Sequence, residues 1–411
     1  MPDSRKKLDR REFFSTALAG AGAVAVLGRL GKPAVLRAQT SPPSGVSGPL
    51  LTRALGKTGL KLPIVNMGVM NADNPGLIRK AYELGIRHFD TAAGYQRGRN
   101  EEMVGRVLEE LKARDKSVIA TKVGIPPDKR ESLPPAELKA AFIRTFEGSL
   151  RRLRTDYVDM LYIHDVSRVD DLRRKGFEDA LAELKSQKKV RFAGFSTHQN
   201  MGPCLDEAVR GGFYEVVLVA FNYALAGNAS LRRSLENASA KGIGLIAMKT
   251  QCMQSWYRDM TPADQQALYA GSILQTAVLK WVLRHEFIHS AVPGFTTYDE
   301  LEEDLTVGRD LTLTPGEKKF LSDRNIKLAM AACVRCGACL PTCPAGVDTP
   351  ALMRAHMYLR YPNVFQAQDT LASLPAGRGL DQCASCGSCQ ARCRGRIDIG
   401  KRIDQLKLHF A

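Results

Sequence analysis

The sequence predicts an α/β fold: a (β/α)8 TIM barrel followed by a small, mainly α-helical domain organised by cysteines. Three observations carry this expectation. Between residues 64 and 307, short apolar runs of β type alternate with amphipathic helical stretches in eight similar units. The 411 residues exceed what one core usually holds, so a smaller second domain is expected beside the barrel. Eight of the ten cysteines fall in two tight, identically spaced quartets after the barrel region ends.

The chain opens with Arg5-Lys6-Lys7 and Asp9-Arg10-Arg11-Glu12-Phe13-Phe14, then an Ala/Gly-rich apolar stretch over 15–30. A basic region followed by an apolar core too short for a comfortable bilayer span is a signal-peptide layout, not a transmembrane helix. Arg10-Arg11 with Phe13 two positions on resembles the twin-arginine export signal, with Asp9 and Phe14 as departures. Residues 1–38 are therefore expected to be a signal segment, with the twin-arginine export machinery as a partner. The implied location is the periplasm or the outer face of the cytoplasmic membrane. Residues 39–50 form a polar Pro/Ser/Gly linker.

The barrel is expected over 51–315. Its strands are read at 64–69, 87–90, 118–121, 160–164, 191–196, 216–220, 244–248 and 288–292, with helices such as 136–153 and 177–187 between them. No Gly-x-Gly-x-x-Gly turn follows a strand, which argues against a doubly wound sheet. After Thr314-Pro315-Gly316 the pattern changes, and the tail, 316–411, reads as helices over 317–330 and 348–361 flanking the first cysteine run.

Charge excludes little beyond nucleic acid. The chain carries 59 Lys+Arg against 43 Asp+Glu, for a net charge of +16, but the first 38 residues contribute eight bases and three acids. No basic run interleaved with aromatics occurs beyond them, so a solvated basic surface is expected and no nucleic-acid partner.

Cys333, Cys336, Cys339 and Cys343, followed by Pro344, form a C-x2-C-x2-C-x3-C run, and Cys383, Cys386, Cys389 and Cys393 repeat it. Two-residue gaps let three thiolates wrap one face of an iron–sulfur cubane, whereas zinc sites group their ligands in two pairs. Two 4Fe-4S clusters are therefore expected as cofactors. The pattern resembles two-cluster bacterial ferredoxins, in which the fourth cysteine of each run serves the other cluster. That resemblance implies Cys333, Cys336, Cys339 and Cys393 on one cluster, and Cys383, Cys386, Cys389 and Cys343 on the other. Arg394 stands where a second Pro is usual, and the long stretch between the runs resembles the helical two-cluster domain of respiratory electron-transfer subunits. The remaining Cys204 and Cys252 read as small buried hydrophobes.

Catalysis in such barrels sits at the C-terminal ends of the strands. Asp90 ends the second strand, Tyr95 follows five residues later, Lys122 ends the third and His164 ends the fourth. Together they resemble the tetrad of the aldo/keto reductases over roughly residues 52–307, and the two domains together resemble the iron–sulfur members of that family. The resemblance implies an oxidoreductase acting on a carbonyl or alcohol substrate. Reducing a carbonyl needs a proton donor on oxygen, and a phenol is a poor acid unless a cation stabilises its anion. Lys122, held by Asp90, is expected to supply that charge to Tyr95 while His164 orients the carbonyl.

The same resemblance implies cofactor residues. In Gly194-Phe195-Ser196-Thr197, Ser196 stands for the family's carboxamide-binding serine and Thr197 for its asparagine. Asn222 matches, but Leu218 replaces a carboxamide-binding Gln and Phe221 a stacking Tyr. Lys249 follows Met248 as in iron–sulfur members, the Gly-containing pyrophosphate loop is missing, and Gly294 opens the final cofactor segment. Glu300 lies where a 2′-phosphate would want Arg or a neutral residue, so of NAD(P)(H), NAD is favoured over NADP. Three functions compete. The first is a nicotinamide-linked enzyme; the second passes electrons from an alcohol or sugar through the clusters to a membrane redox partner. In the third, the barrel is a non-catalytic binding and electron-transfer module of a membrane-associated complex.

Overall fold

A computed structural model describes residues 48–251, 273–322, 333, 337–359, 365–394 and 397–410. The expected signal segment, Cys336, and the loop with Cys252, Met253, Trp256 and Tyr257 lie outside the described residues.

The chain enters through an antiparallel hairpin, β1 (Thr52–Ala54) and β2 (Lys61–Pro63), which the periodicity did not announce because three-residue strands are too short to show it. Leu55 and Leu62 are buried, and Leu55 packs so closely on Gly244, the first residue of a barrel strand, that a β-carbon there would sit 2.6 Å from its Cγ. The hairpin thus covers the N-terminal end of the barrel and leaves the other end open for chemistry.

Eight parallel strands follow: β3 (Met67–Gly68), β4 (His88–Asp90), β5 (Val118–Val123), β6 (Val158–Ile163), β7 (Val190–Thr197), β8 (Val216–Ala220), β9 (Gly244–Met248) and β10 (Ser290–Ala291). Each pairs with its sequence neighbours, and a parallel bridge from Val65 to Ala291 closes the ring. Helices cover the strands from outside, so every residue of β6, β8 and β9 is buried, as expected for parallel strands flanked on both faces. The closing strands are shorter than the runs 64–69 and 288–292 suggested. Their outer residues stay extended and hydrogen-bonded, Asn66 N to Ala291 O at 2.8 Å and Gly68 N to Pro293 O at 2.9 Å, without extending the ladder.

Among the outer helices, α1 (Pro135–Leu153) and α2 (Lys175–Ser186) lie within two residues of their expected bounds. Further on, α3 (Tyr298–Arg309) starts with a reciprocal capping box between Thr297 and Glu300. Beyond α4 (Pro315–Ser322), the rest of the expected 317–330 helix lies outside the described residues.

The tail builds its own small core. Helices α5 (Thr349–Tyr358), α6 (Phe365–Ala372) and α7 (Ile399–Phe410) surround it, with Leu352, Met353, Ile403 and Leu406 packed against Cys339 and Cys383. Asp348 caps α5, accepting from Ala351 N at 3.0 Å. Cys204 is fully buried in the barrel core, where burial pushes its thiol up to about 12, in keeping with a packing role.

Candidate active site and cysteine cavity

The four expected polar residues meet at the C-terminal end of the barrel. Asp90 is the last residue of β4, Lys122 lies near the end of β5, and His164 directly follows β6. The Lys122 ammonium, with no exposed surface, donates to the Asp90 carboxylate and to Thr91 O, the latter at 2.6 Å. An unpaired ammonium at such a site would cost several kcal/mol, so this pair is what keeps Lys122 inside. The same nitrogen sits 4.8 Å from the Tyr95 ring centroid, and the Tyr95 and His164 rings meet edge to face with centroids 5.8 Å apart.

Backbone strain collects at this rim. Gln96 and Arg97 (φ +49° and +57°), Asp165 (φ +52°) and Lys249 (φ +58°) all adopt left-handed conformations that L side chains disfavour, and they follow Tyr95, His164 and Met248 directly. Surrounding bonds hold them there. Gln96 Nε2 donates to Ala72 O at 3.1 Å, and Asn100 fixes the same loop through Val69 O at 2.7 Å.

Burial, and after it the Asp90 charge, push the Tyr95 phenol well above its usual value, so the phenol is protonated in the site as described and has a proton to give. The reason is geometric: Lys122 faces the ring, and its charge is already committed to Asp90. Burial first, then Lys122, lower His164 to about 3, leaving a neutral imidazole suited to orienting an oxygen.

A cleft beside this group is lined by Asp90, Tyr95, Lys249, Thr250, Gly294 and Glu300, among others. Ser196, on β7, is buried and its hydroxyl has no partner among the described residues; the same is true of Thr250. Such orphaned groups suit a bound amide, which would satisfy them. Thr197 instead spends its hydroxyl on Gln199 O at 2.9 Å, and Asn222 Nδ2 donates to Lys249 O at 3.2 Å, holding the loop after β9. Leu218 is buried, and Phe221 stacks on Trp281 with centroids 5.3 Å apart, so neither offers itself to a ligand. Glu300 is locked by its cap, its Oε2 accepting from Thr296 N at 2.7 Å and Thr296 Oγ1 at 3.0 Å. Burial pushes the neighbouring Asp304 carboxyl well above the carboxylate range, and Gln251 donates to it at 2.5 Å.

The tail adds residues that the motifs did not reveal. Arg354 donates to Asp165 Oδ2 at 2.5 Å, and its Nε lies 3.3 Å from the Tyr358 hydroxyl. Lys249 stands 4.7 Å from the Tyr358 ring centroid. Met357 lines the cleft. The available signal was the i, i+4 spacing of Arg354 and Tyr358 on an expected helix, which places both on one face.

Cys343, Cys383, Cys386, Cys389 and Cys393 line one cavity of about 630 Å³ in the tail. Cys343 from the first run therefore sits with all four thiols of the second. Burial raises the Cys383 thiol to about 11, with Cys343, Cys389 and Cys386 adding to the effect; a cluster that binds thiolates would reverse that balance. Four sulfurs on one zinc would lie about 3.8 Å apart, yet among the described residues no three His, Cys, Asp or Glu gather around a single ion. A cubane spreads its ligands wider, so the donor set fits a cluster. Cys333 and Cys339 join the same small core beside it. Gly337, at φ +73°, needs glycine's freedom where the first run turns.

Helix α5 links the two sites. Its first residue, Thr349, lines the cysteine cavity and its last, Tyr358, meets Lys249. Ten helical residues span about 15 Å.

Residues 66–319 match the aldo/keto reductase family, and residues 329–397 match a 4Fe-4S dicluster domain. A similar protein is L-galactose dehydrogenase of Arabidopsis thaliana, 27% identical over 306 residues, covering 66% of this chain and 92% of that one. Among solved structures, the holo form of an aldo-keto reductase from Bacillus halodurans has a TM-score of 0.54 at 22% identity, covering 66% of this chain and 95% of that one. An aldo/keto reductase from Klebsiella pneumoniae, solved with NADP and acetate, has a TM-score of 0.50 at 24% identity, covering 66% and 93%. The fold is thus a (β/α)8 barrel with a helical cluster-domain tail, and the chain belongs to the aldo/keto reductase family as an oxidoreductase carrying a 4Fe-4S dicluster domain.

Proposed function

We propose that the protein is an exported carbonyl/alcohol oxidoreductase of small, sugar-derived substrates, using NAD(H) in preference to NADP(H). The observation that carries this reading is the buried Lys122–Asp90 pair beneath Tyr95 and beside His164 at the open end of the barrel. The sugar substrate of L-galactose dehydrogenase supports the substrate class. A nicotinamide, when bound, supplies or accepts the hydride. The chain's own groups do the rest: Tyr95 and neutral His164 donate hydrogen bonds to the substrate oxygen, and Ser196 suits the carboxamide. Glu300 on the cleft wall, with Lys249 the one cationic side chain among its described lining residues, supports NAD over NADP.

The two clusters are read as electron carriers to a membrane redox partner. A hydride carries two electrons and each cluster one, so this role needs a group that splits the pair, and the sequence carries no flavin motif for it. Export rests on Arg10-Arg11 and the apolar stretch that follows. A second reading, a non-catalytic barrel serving as a binding and electron-transfer module, draws on buried Leu218 and on Phe221 stacked against Trp281.

Anaerobically purified protein assayed with L-galactose and related aldoses, with NAD or an artificial electron acceptor, separates the two. Turnover that falls at least about a hundredfold in Tyr95→Phe with iron content unchanged supports the enzyme. Turnover undiminished in that variant removes the tetrad from the mechanism.

A further inference from the structure

The turn that carries His164 is gripped from two sides. The barrel ties its backbone: His164 N donates to Val123 O at 2.8 Å and Val166 N to Ser196 O at 2.9 Å. The Arg130 guanidinium adds bonds to His164 O and, at 3.3 Å, to Asp165 O. Between these anchors Asp165 adopts a left-handed conformation, φ +52°, and such strain persists only where the surroundings impose it. The tail takes hold of its side chain, Arg354 Nη1 donating to Asp165 Oδ2 at 2.5 Å. The guanidinium is fixed in turn. Tyr358, buried one turn further along α5, sets its hydroxyl 3.3 Å from Arg354 Nε, and its ring lies 4.7 Å from the Lys249 ammonium.

We propose that Arg354 is a positioning residue of the active site: acting through Asp165, it aims the His164 imidazole at the substrate oxygen. The proposal rests on the carbonyl/alcohol reading above and changes none of its chemical steps. Arg354 is not among the described residues that line the cleft, so it reaches the substrate only through this relay. By fixing the turn directly after His164, it keeps the imidazole edge to face with Tyr95, centroids 5.8 Å apart, so that both polar groups converge on one point. The helix that carries Arg354 begins at the cysteine cavity with Thr349. The cluster domain is then a working part of the barrel's site as well as its neighbour.

Energetics distinguish positioning from mere docking of the tail. The Arg354 and Asp165 side chains are 20% and 22% exposed, and an ion pair open to water contributes little to stability. A hydrogen bond from His164, by contrast, helps only if its nitrogen meets the oxygen of the transition state, and a small misplacement costs far more in kcat than in binding. Breaking the pair should therefore show in catalysis before it shows in folding. Arginine suits the role because its planar fork reaches Asp165 and Tyr358 together, whereas a lysine could meet one of them.

The test uses the full-length, cluster-loaded protein with isotope-labelled histidine, and L-galactose with NAD as the probe pair. Arg354→Gln should lower kcat at least about tenfold while KM changes by less than about twofold, its iron content unchanged. Arg354→Lys should recover part of that loss. In a His164→Gln background, Arg354→Gln should cost nothing further, because the group it positions is already gone. The ring nitrogen resonance of His164, identified by its absence from His164→Gln, should shift in Arg354→Gln. A kcat unmoved in Arg354→Gln while Tyr95→Phe is inactive, or losses that multiply in the His164→Gln background, overturns the proposal. A shifted resonance in a protein whose turnover Tyr95→Phe leaves intact upholds the placement of His164 by Arg354 and removes instead the tetrad reading.

Discussion

The Lys122 ammonium lies 4.8 Å from the centroid of the Tyr95 ring while its hydrogen bonds go to the Asp90 carboxylate and Thr91 O. The pair is therefore first a structural unit, two charges buried together, and second an electrostatic feature of the site. Lys122→Met leaves Asp90 buried without its cation, and Asp90 Oδ2 already lacks a hydrogen-bond partner among the described residues. The expected loss is about 3–5 kcal/mol of stability. Urea unfolding of that variant and of Lys122→Met/Asp90→Asn checks it: the double variant should recover much of the loss, and two equal losses would mean the pairing is not what holds the site.

The thiols felt at Cys383 are those of Cys343, Cys389 and Cys386, and this grouping predicts an asymmetric effect of the loss of Cys343. The intact protein should bind about eight irons, and Cys343→Ser should deplete the cluster held by the second run, although Cys343 belongs to the first. Iron analysis with electron paramagnetic resonance of the reduced protein reads this out. Loss of the first-run signal instead would place each fourth cysteine with its own run.

Much of this was legible in the sequence because the physics is local. Eight apolar runs register as strands wherever both faces are buried, as in β6, β8 and β9. The cysteine spacing carries its chemistry in a few residues. What stayed hidden depends on contacts distant along the chain. The β1–β2 hairpin is too short to show a period, and β3 and β10 are trimmed by closure of the ring. Tyr358 and Arg354 belong to the site only because α5 packs on the barrel rim, about 190 residues beyond His164 and Asp165. How Lys122 lies against Tyr95 stayed hidden for a related reason, since spacing on successive strands shows neither that the cation faces the ring nor how deeply it is buried.

Glu300 yields a prediction about cofactor choice. Its carboxylate lines the cleft and also caps α3, so Glu300→Gln removes the charge while keeping a side chain that can accept the same bonds. Relief of repulsion toward a 2′-phosphate of about 1.4 kcal/mol corresponds to roughly a tenfold gain in kcat/KM for NADP, with little change for NAD. Steady-state kinetics with both nucleotides measure the ratio. An unchanged ratio would separate Glu300 from the adenosine end of the cofactor.

The central claim is that the barrel holds a nicotinamide next to the tetrad, and fluorescence titration of the anaerobic, cluster-loaded protein with NADH and NADPH tests it most directly. The account predicts one saturable site that binds NADH more tightly than NADPH and is weakened by Ser196→Ala, whose buried hydroxyl then no longer meets the carboxamide. Binding of neither nucleotide to protein with its full iron content would contradict it and leave the barrel as a non-catalytic module.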